Sequence, residues 1–147
     1  MSDISAEALE LIEAASRARE NAHAPYSHFR VGASLRSKEG TIVTGVNFEN
    51  CSYGLTVCAE RNVLATAVGQ GILGEDIVEI AVVVEAEEAA SPCGACRQVL
   101  AELLSLDTPI ILHNLRHSQT VSTTLGELLP CAFLPYTLKS ALNPQDD

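Results

Sequence analysis

Residues 76–85 read DIVEIAVVVE. The run is β-branched and nearly unbroken by polar residues, so it reads as a buried strand. Such a strand needs cover on both faces, and the flanking sequence offers it. Upstream, Ile4, Ala8, Leu11, Ala15, Ala18 and Ala22 recur at steps of three and four, one face of a helix, with Ser5 placed to cap it. APYS interrupts that pattern. FRVGASL and TIVTGVNF read as two strands around a hairpin turn at SKEG, and AERNVLATAVG, residues 59–69, reads as a helix ending at Gly69. Downstream, residues 94–105 read as a helix with Pro92 just before its start, TPIILHN as a strand, TVSTTL as a weaker one and GELLP as a short helix. SALNPQDD reads as a loose tail. Helices alternate with a mixed sheet, which is a layered α/β domain.

The chain has 147 residues, 47% of them hydrophobic, enough for one globular domain without disulfide staples. Its formal charge of −10, from 9 basic and 19 acidic residues, repels a phosphate backbone and argues against a polynucleotide partner. The first twenty residues show neither the basic nor the apolar region of a signal peptide, and no apolar run reaches membrane-spanning length. The expected location is the cytoplasm, where thiols stay reduced. Five cysteines, Cys51, Cys58, Cys93, Cys96 and Cys131, are an odd set for a disulfide framework and turn attention to metal or catalysis.

Two patterns resemble sites without meeting their requirements. GQGILG, residues 69–74, matches a dinucleotide glycine motif, but a helix precedes it and a strand follows, the reverse of what a phosphate on a helix N-terminus needs. His113 and His117 are four apart, yet the first follows a strand pattern and a turn separates them, so they read as surface or satisfied histidines.

The cysteines are more informative. In SPCGACRQVL, Cys93 and Cys96 fall on the first turn of a helix, share a face, and meet the free N–H groups and positive dipole end that favour thiolates. In TVCAERNVL, Cys58 lies at a second helix start, with Thr56 a candidate cap and Glu60 two residues on. Three cysteines with an adjacent carboxylate make a three-ligand zinc site with one open position. The alternatives are inert buried thiols, a redox pair at Cys93 and Cys96, or a closed clip that adds Cys51. Taken alone, Cys51 and Cys131 read as semi-buried thiols, and Glu60 as a first-turn acid favoured by the dipole.

CAE followed by PCGACRQ, together with GVNFENCSYG, resembles the zinc-dependent nucleoside deaminases, and most closely the small homotetrameric cytidine deaminases of the three-cysteine type. The resemblance runs from APYSHFRVGA to LLPCAF. It implies a three-layer α/β/α sandwich with a mixed, about five-stranded sheet, as one catalytic domain over residues 1–138 with a flexible tail over 139–147. It implies one Zn²⁺ per subunit on Cys58, Cys93 and Cys96, and hydrolytic deamination of cytidine and 2′-deoxycytidine in pyrimidine salvage. Zinc makes hydroxide available near neutral pH, and Glu60 shuttles the proton. Asn47 and Glu49 match positions that bind the ribose 3′-hydroxyl. Phe29 matches a residue near base and sugar, the backbone at Ala59 and Ser91 matches segments that meet the base, and Phe133 matches an aromatic that reaches a neighbouring subunit's base.

Three thiolates, Zn²⁺ and a hydroxide sum to −2, which opposes water ionisation. A guanidinium about 5 Å away is worth roughly 3 kcal/mol at an effective dielectric of about 20. Arg61 follows Glu60 and Arg97 follows Cys96; the resemblance favours Arg61. Two other functions remain open from sequence: a deaminase of a cytosine-bearing nucleoside antibiotic, and a structural zinc module with Cys51 as fourth ligand.

Overall fold

The computed structural model describes residues 4–142, with side chains through residue 139. Its elements in chain order are α1 (Ala6–Arg19), β1 (Gly32–Ser37), β2 (Ile42–Val46), α2 (Ala59–Gly69), β3 (Ile77–Val84), α3 (Gly94–Leu103), β4 (Pro109–Asn114), β5 (Gln119–Thr124), α4 (Leu125–Leu128) and α5 (Pro135–Leu142). The sheet has five strands in the order β2-β1-β3-β4-β5. Only β3 and β4 are parallel, joined through α3; the other neighbours are antiparallel. No helix among the described residues is long and apolar enough to cross a membrane.

The apolar run of β3 is explained by its place in the middle of this sheet. Successive side chains of a strand point to opposite faces. Ile80 and Val82 pack with Val63 and Leu64 of α2 and Leu100 and Ala101 of α3. Ala81 and Val83 pack on the other side with Ala8, Leu11, Ile12 and Ala15 of α1. The result is a three-layer sandwich with α1 on one face and α2 and α3 on the other.

Two glycines set how closely the helices approach. A Cβ on Gly32 of β1 would lie 2.0 Å from the Ala15 carbonyl oxygen of α1, and one on Gly45 of β2 would lie 2.4 Å from the Val63 nitrogen of α2. The second contact seats α2, and with it Cys58, against the hairpin.

The strand boundaries are shorter than the sequence pattern suggests, for a reason that bears on the site. FRV does not pair as strand. His28 has φ of 57°, a left-handed conformation, and turns the chain there. Beyond it, the Asn47 side chain takes the place of a partner strand: its Oδ1 accepts the Val31 N–H at 2.8 Å and its Nδ2 donates to the Phe29 carbonyl at 2.8 Å. β2 correspondingly stops at Val46, and Phe48 makes isolated bridges to His23 and Val57. Helix α3 stops at Leu103 because Leu104 turns to extended geometry. Helix α5, opened by Pro135, has no counterpart in the sequence reading. Of the tail read over 139–147, residues 143–147 lie outside the described residues.

Candidate metal centre and adjoining cleft

Helices α2 and α3 both start with a cysteine at the N-cap in extended conformation, Cys58 at φ −72°, ψ 157° and Cys93 at φ −64°, ψ 164°. Neither side chain caps its own helix, so both sulfurs are available to other partners. Thr56, a candidate cap for α2, instead accepts the Asn50 N–H on Oγ1 at 3.2 Å. Cys96, fully buried, sits in the first turn of α3. Because both helices pack on one sheet face with their starts together, the three sulfurs lie within 4.8 Å of one another. Cys93 Sγ and Cys96 Sγ are 3.5 Å apart.

A zinc ion with Zn–S bonds of about 2.3 Å needs tetrahedral sulfurs about 3.8 Å apart, in thiolate form. The spacing fits, and so do the electrostatics. The Cys96 thiol donates to Cys58, which, with the Arg61 guanidinium and the Cys93 thiol, holds Cys58 down to about 5 against the effect of burial. Cys96 is pushed up in return, by that same hydrogen bond and by burial. The negative charge thus centres on Cys58, and Cys96 keeps a proton that a dication would displace. The positive ends of α2 and α3 both face it.

Glu60, the second residue of α2, is only 5% exposed. Burial pushes its carboxyl above the usual range, and the Cys58 charge adds to the effect. It is a buried acid beside the thiols, able to take and release a proton. Arg61 Nη2 lies 3.7 Å from Cys58 Sγ and donates to the Thr56 carbonyl at 3.4 Å, while its buried Nε has no hydrogen-bond partner among the described residues. Arg97 points elsewhere. It donates to the Pro92 carbonyl at 2.7 Å, the Leu128 carbonyl at 2.6 Å and Ser91 Oγ at 2.7 Å.

Beside this cluster is a cleft of about 250 Å³ lined by Tyr26, Ser27, Glu49, Tyr53 and Thr56. Asn47 and Glu49 are buried on either side of exposed Phe48, as alternate residues of extended chain. Phe48 and Val57 exchange two backbone hydrogen bonds, 2.9 and 3.0 Å, which pins the Asn47–Glu49 segment next to Cys58. Glu49 accepts the N–H groups of Tyr26 at 2.8 Å and Ser27 at 3.2 Å, and the Ser27 hydroxyl. Tyr26 and Tyr53 meet edge to face with centroids 5.7 Å apart.

The remaining residues singled out from sequence are distributed as follows. Ala59 is fully buried at the first position of α2. Ser91 is exposed and held by Arg97. Phe29 is exposed rather than core, and Phe133 is exposed with its carbonyl accepting from Gln98 Nε2 at 2.8 Å. Cys51 and Cys131 are exposed, not semi-buried, and Cys51 stands outside the thiol cluster, which removes the four-thiolate clip. His113 Nδ1 is 2.8 Å from Thr120 Oγ1 and His117 faces Glu87 at 3.6 Å, so the two do not converge. GQGILG ends α2 and leads into β3, with Gly71 at φ 80°. The sequence reading passed over Tyr26, Ser27 and Tyr53. For Tyr26 and Ser27 the signal was APYS, whose polar atoms have meaning only once Glu49 is folded against them; Tyr53 lies in the CSYG stretch just beyond Glu49.

Comparison with known proteins agrees with this geometry. A cytidine deaminase from Halalkalibacterium halodurans is 50% identical over 123 residues, 84% of this chain and 91% of that protein. The crystal structure of cytidine deaminase from Burkholderia pseudomallei superposes with a TM-score of 0.82 at 46% identity, covering 85% of this chain and 98% of that one. A more distant relative, the blasticidin-S deaminase of Bacillus cereus, is 30% identical over 138 residues, 89% of this chain and 95% of that protein. The family described as "cytidine and deoxycytidylate deaminase zinc-binding region" matches residues 5–110, a span that holds all three clustered thiols and Glu60. The chain belongs to that zinc-binding deaminase family.

Proposed function

We propose that this protein converts cytidine and 2′-deoxycytidine, with water, to uridine and 2′-deoxyuridine and ammonia, in pyrimidine salvage in the cytoplasm. The observation that carries this reading is the three-thiol cluster at two helix starts, with the buried acid Glu60 beside it and a cleft alongside. Cys58, Cys93 and Cys96 would hold the zinc, which when bound supplies a Lewis acid that brings the acidity of water near neutral. Glu60 takes a proton from the attacking water and delivers it to N3 of the cytosine. It then carries the second proton to the departing amine. A carboxyl raised by burial suits both directions of transfer near pH 7. Asn47 and Glu49 meet the 3′-hydroxyl of the sugar, Phe29 packs near base and sugar, and the backbone at Ala59 and Ser91 meets the base. Arg61 offsets the charge of the thiolates.

A free nucleoside is favoured over a phosphorylated one because the residues lining the cleft include the carboxylate of Glu49 and no cation. It is favoured over a nucleoside antibiotic by the higher identity of the relatives named cytidine deaminases, 50% against 30%. We also propose a homotetramer whose sites are completed between subunits, with Phe133 reaching a neighbour's base. Supporting it, every aromatic side chain of this Trp-free chain is substantially exposed: Tyr26 47%, Phe29 40%, Phe48 51%, Tyr53 73%, Phe133 57% and Tyr136 68%. Aromatic surface of that kind belongs in subunit contacts.

The test is ultraviolet-monitored turnover of cytidine, its 5′-monophosphate and blasticidin S, with and without a chelator. Cytidine turnover that the chelator abolishes and zinc restores supports the reading. Preference for either other substrate, or turnover indifferent to metal removal, overturns it. Light scattering tests the tetramer.

A further inference from the structure

Glu49 is 8% exposed, and among the described residues its carboxylate accepts its hydrogen bonds from two consecutive residues of one turn. Both backbone N–H groups, of Tyr26 and Ser27, go to Oε2. The Ser27 hydroxyl alone goes to Oε1. That hydroxyl is itself constrained, because it accepts the Phe29 N–H at 3.0 Å. An ionised carboxylate can only accept, so the single hydroxyl proton of Ser27 must point at Glu49. The turn that makes this possible is fixed by the left-handed His28 and by the His28 N–H on the Ala24 carbonyl at 3.0 Å. Glu49 in turn is fixed from below by its own N–H on the His23 carbonyl at 2.8 Å.

A carboxylate offers about four acceptor directions. Three are taken, two on Oε2 and one on Oε1, which leaves one direction on Oε1 for a ligand in the cleft that Glu49 and Ser27 both line. The two N–H bonds grip one oxygen and leave the carboxylate free to swing about it; the hydroxyl is the contact that decides where the second oxygen points. We infer that Ser27 is a positioning residue, which aims the free lone pair of Glu49 at a sugar hydroxyl of the bound nucleoside. This rests on the reading of Glu49 as a sugar contact. The Ser27 hydroxyl is also the largest influence holding the Glu49 carboxyl below its ordinary range, consistent with an acceptor kept ionised.

The experiment is steady-state kinetics on zinc-loaded Ser27→Ala, Ser27→Thr, Glu49→Gln and the Ser27→Ala/Glu49→Gln double variant, with cytidine as substrate. A hydrogen bond to a charged group is worth enough that Ser27→Ala should raise KM about tenfold, with kcat within about twofold of the parent. Ser27→Thr, which keeps the hydroxyl, should restore KM to within about threefold. In the double variant KM should match that of Glu49→Gln alone, because Ser27 then has no carboxylate to aim. A merely structural Ser27 would lower kcat and thermal stability together and would add its effect to that of Glu49→Gln; either result overturns the inference. If Glu49→Gln raises KM and Ser27→Ala does not, the positioning role falls while the sugar contact stands. If Glu49→Gln leaves KM unchanged, the sugar contact fails and takes the positioning role with it.

Discussion

The starts of α2 and α3 are built from the same parts and do different work. Each has an extended cysteine at the N-cap, a small residue after it, and an arginine at the close of the first turn. In α2 the arginine turns toward sulfur, with Nη2 3.7 Å from Cys58 Sγ. In α3 it turns away and ties down the Pro92 and Leu128 carbonyls and Ser91 Oγ. The buried ionisable residue of the first turn is an acid in α2, Glu60, and a thiol in α3, Cys96. In the mechanism proposed above, one helix start would supply the proton carrier and the charge balance, while the other brings the second and third sulfurs and is braced as a scaffold. Local sequence sets the N-cap conformation, and packing decides what each side chain then faces.

The sharpest way to break this division is to exchange function at the two buried positions. Glu60→Gln should keep zinc and lower kcat about a thousandfold, within the range that general acid–base groups contribute. Cys96→Ala should lose the zinc itself, since two thiolates do not complete a site. Metal analysis beside kinetics separates the outcomes. Glu60→Gln without metal, or Cys96→Ala with full metal, would show that the two helix starts share roles.

The arginines give the next largest contrast. Arg97→Ala removes three hydrogen bonds from one charged group and should cost about 2 kcal/mol of stability, read by urea unfolding of the zinc-loaded protein. Arg61→Gln should leave the unfolding curve near the parent's and act on the thiols. Without the guanidinium, the Cys58 thiol rises above its value of about 5, so in the metal-free protein its alkylation moves to higher pH. For the same reason the acidic limb of the pH–rate profile should shift upward. An unmoved limb with an unmoved alkylation midpoint would take Arg61 out of the mechanism.

What could be read in advance follows the same line between local and distant causes. The thiol pair was legible because Pro92, Cys93 and Cys96 are neighbours in sequence and a helix start orients them by itself. The buried strand β3 was legible because its pattern needs no partner to be seen. The destination of Arg97 was not, since Leu128 lies thirty-one residues away. Nor was the wall made by Tyr26 and Ser27, whose N–H and hydroxyl groups await a carboxylate twenty-two residues or more downstream. The early loss of strand at Phe29 has the same origin, because an asparagine from the next strand's end replaces a backbone partner. Exposure of Cys51, Cys131 and the aromatics depends on which surface is left uncovered, and composition does not encode that.

The smallest effect concerns the brace itself. Arg97 holds the Leu128 carbonyl, and Leu128 ends the one-turn helix α4, whose start is capped reciprocally by Thr124 and Glu127. The Thr123 hydroxyl, at 2.7 Å, and the Thr124 N–H hold the Glu127 carboxyl below its ordinary value of 4.5. A carboxyl depressed by folding stabilises the folded state above its unfolded pKa, and the contribution is lost as pH falls through the folded one. Thr123→Val removes the larger of these contacts while keeping a β-branched strand residue. The variant should therefore melt a little below the parent at pH 7, and the gap should close as the pH falls below about 4.5, once Glu127 is protonated in both proteins. A gap that stays constant across that range would mean the cost is packing, and that the α3 side of the site is braced without any titrating group.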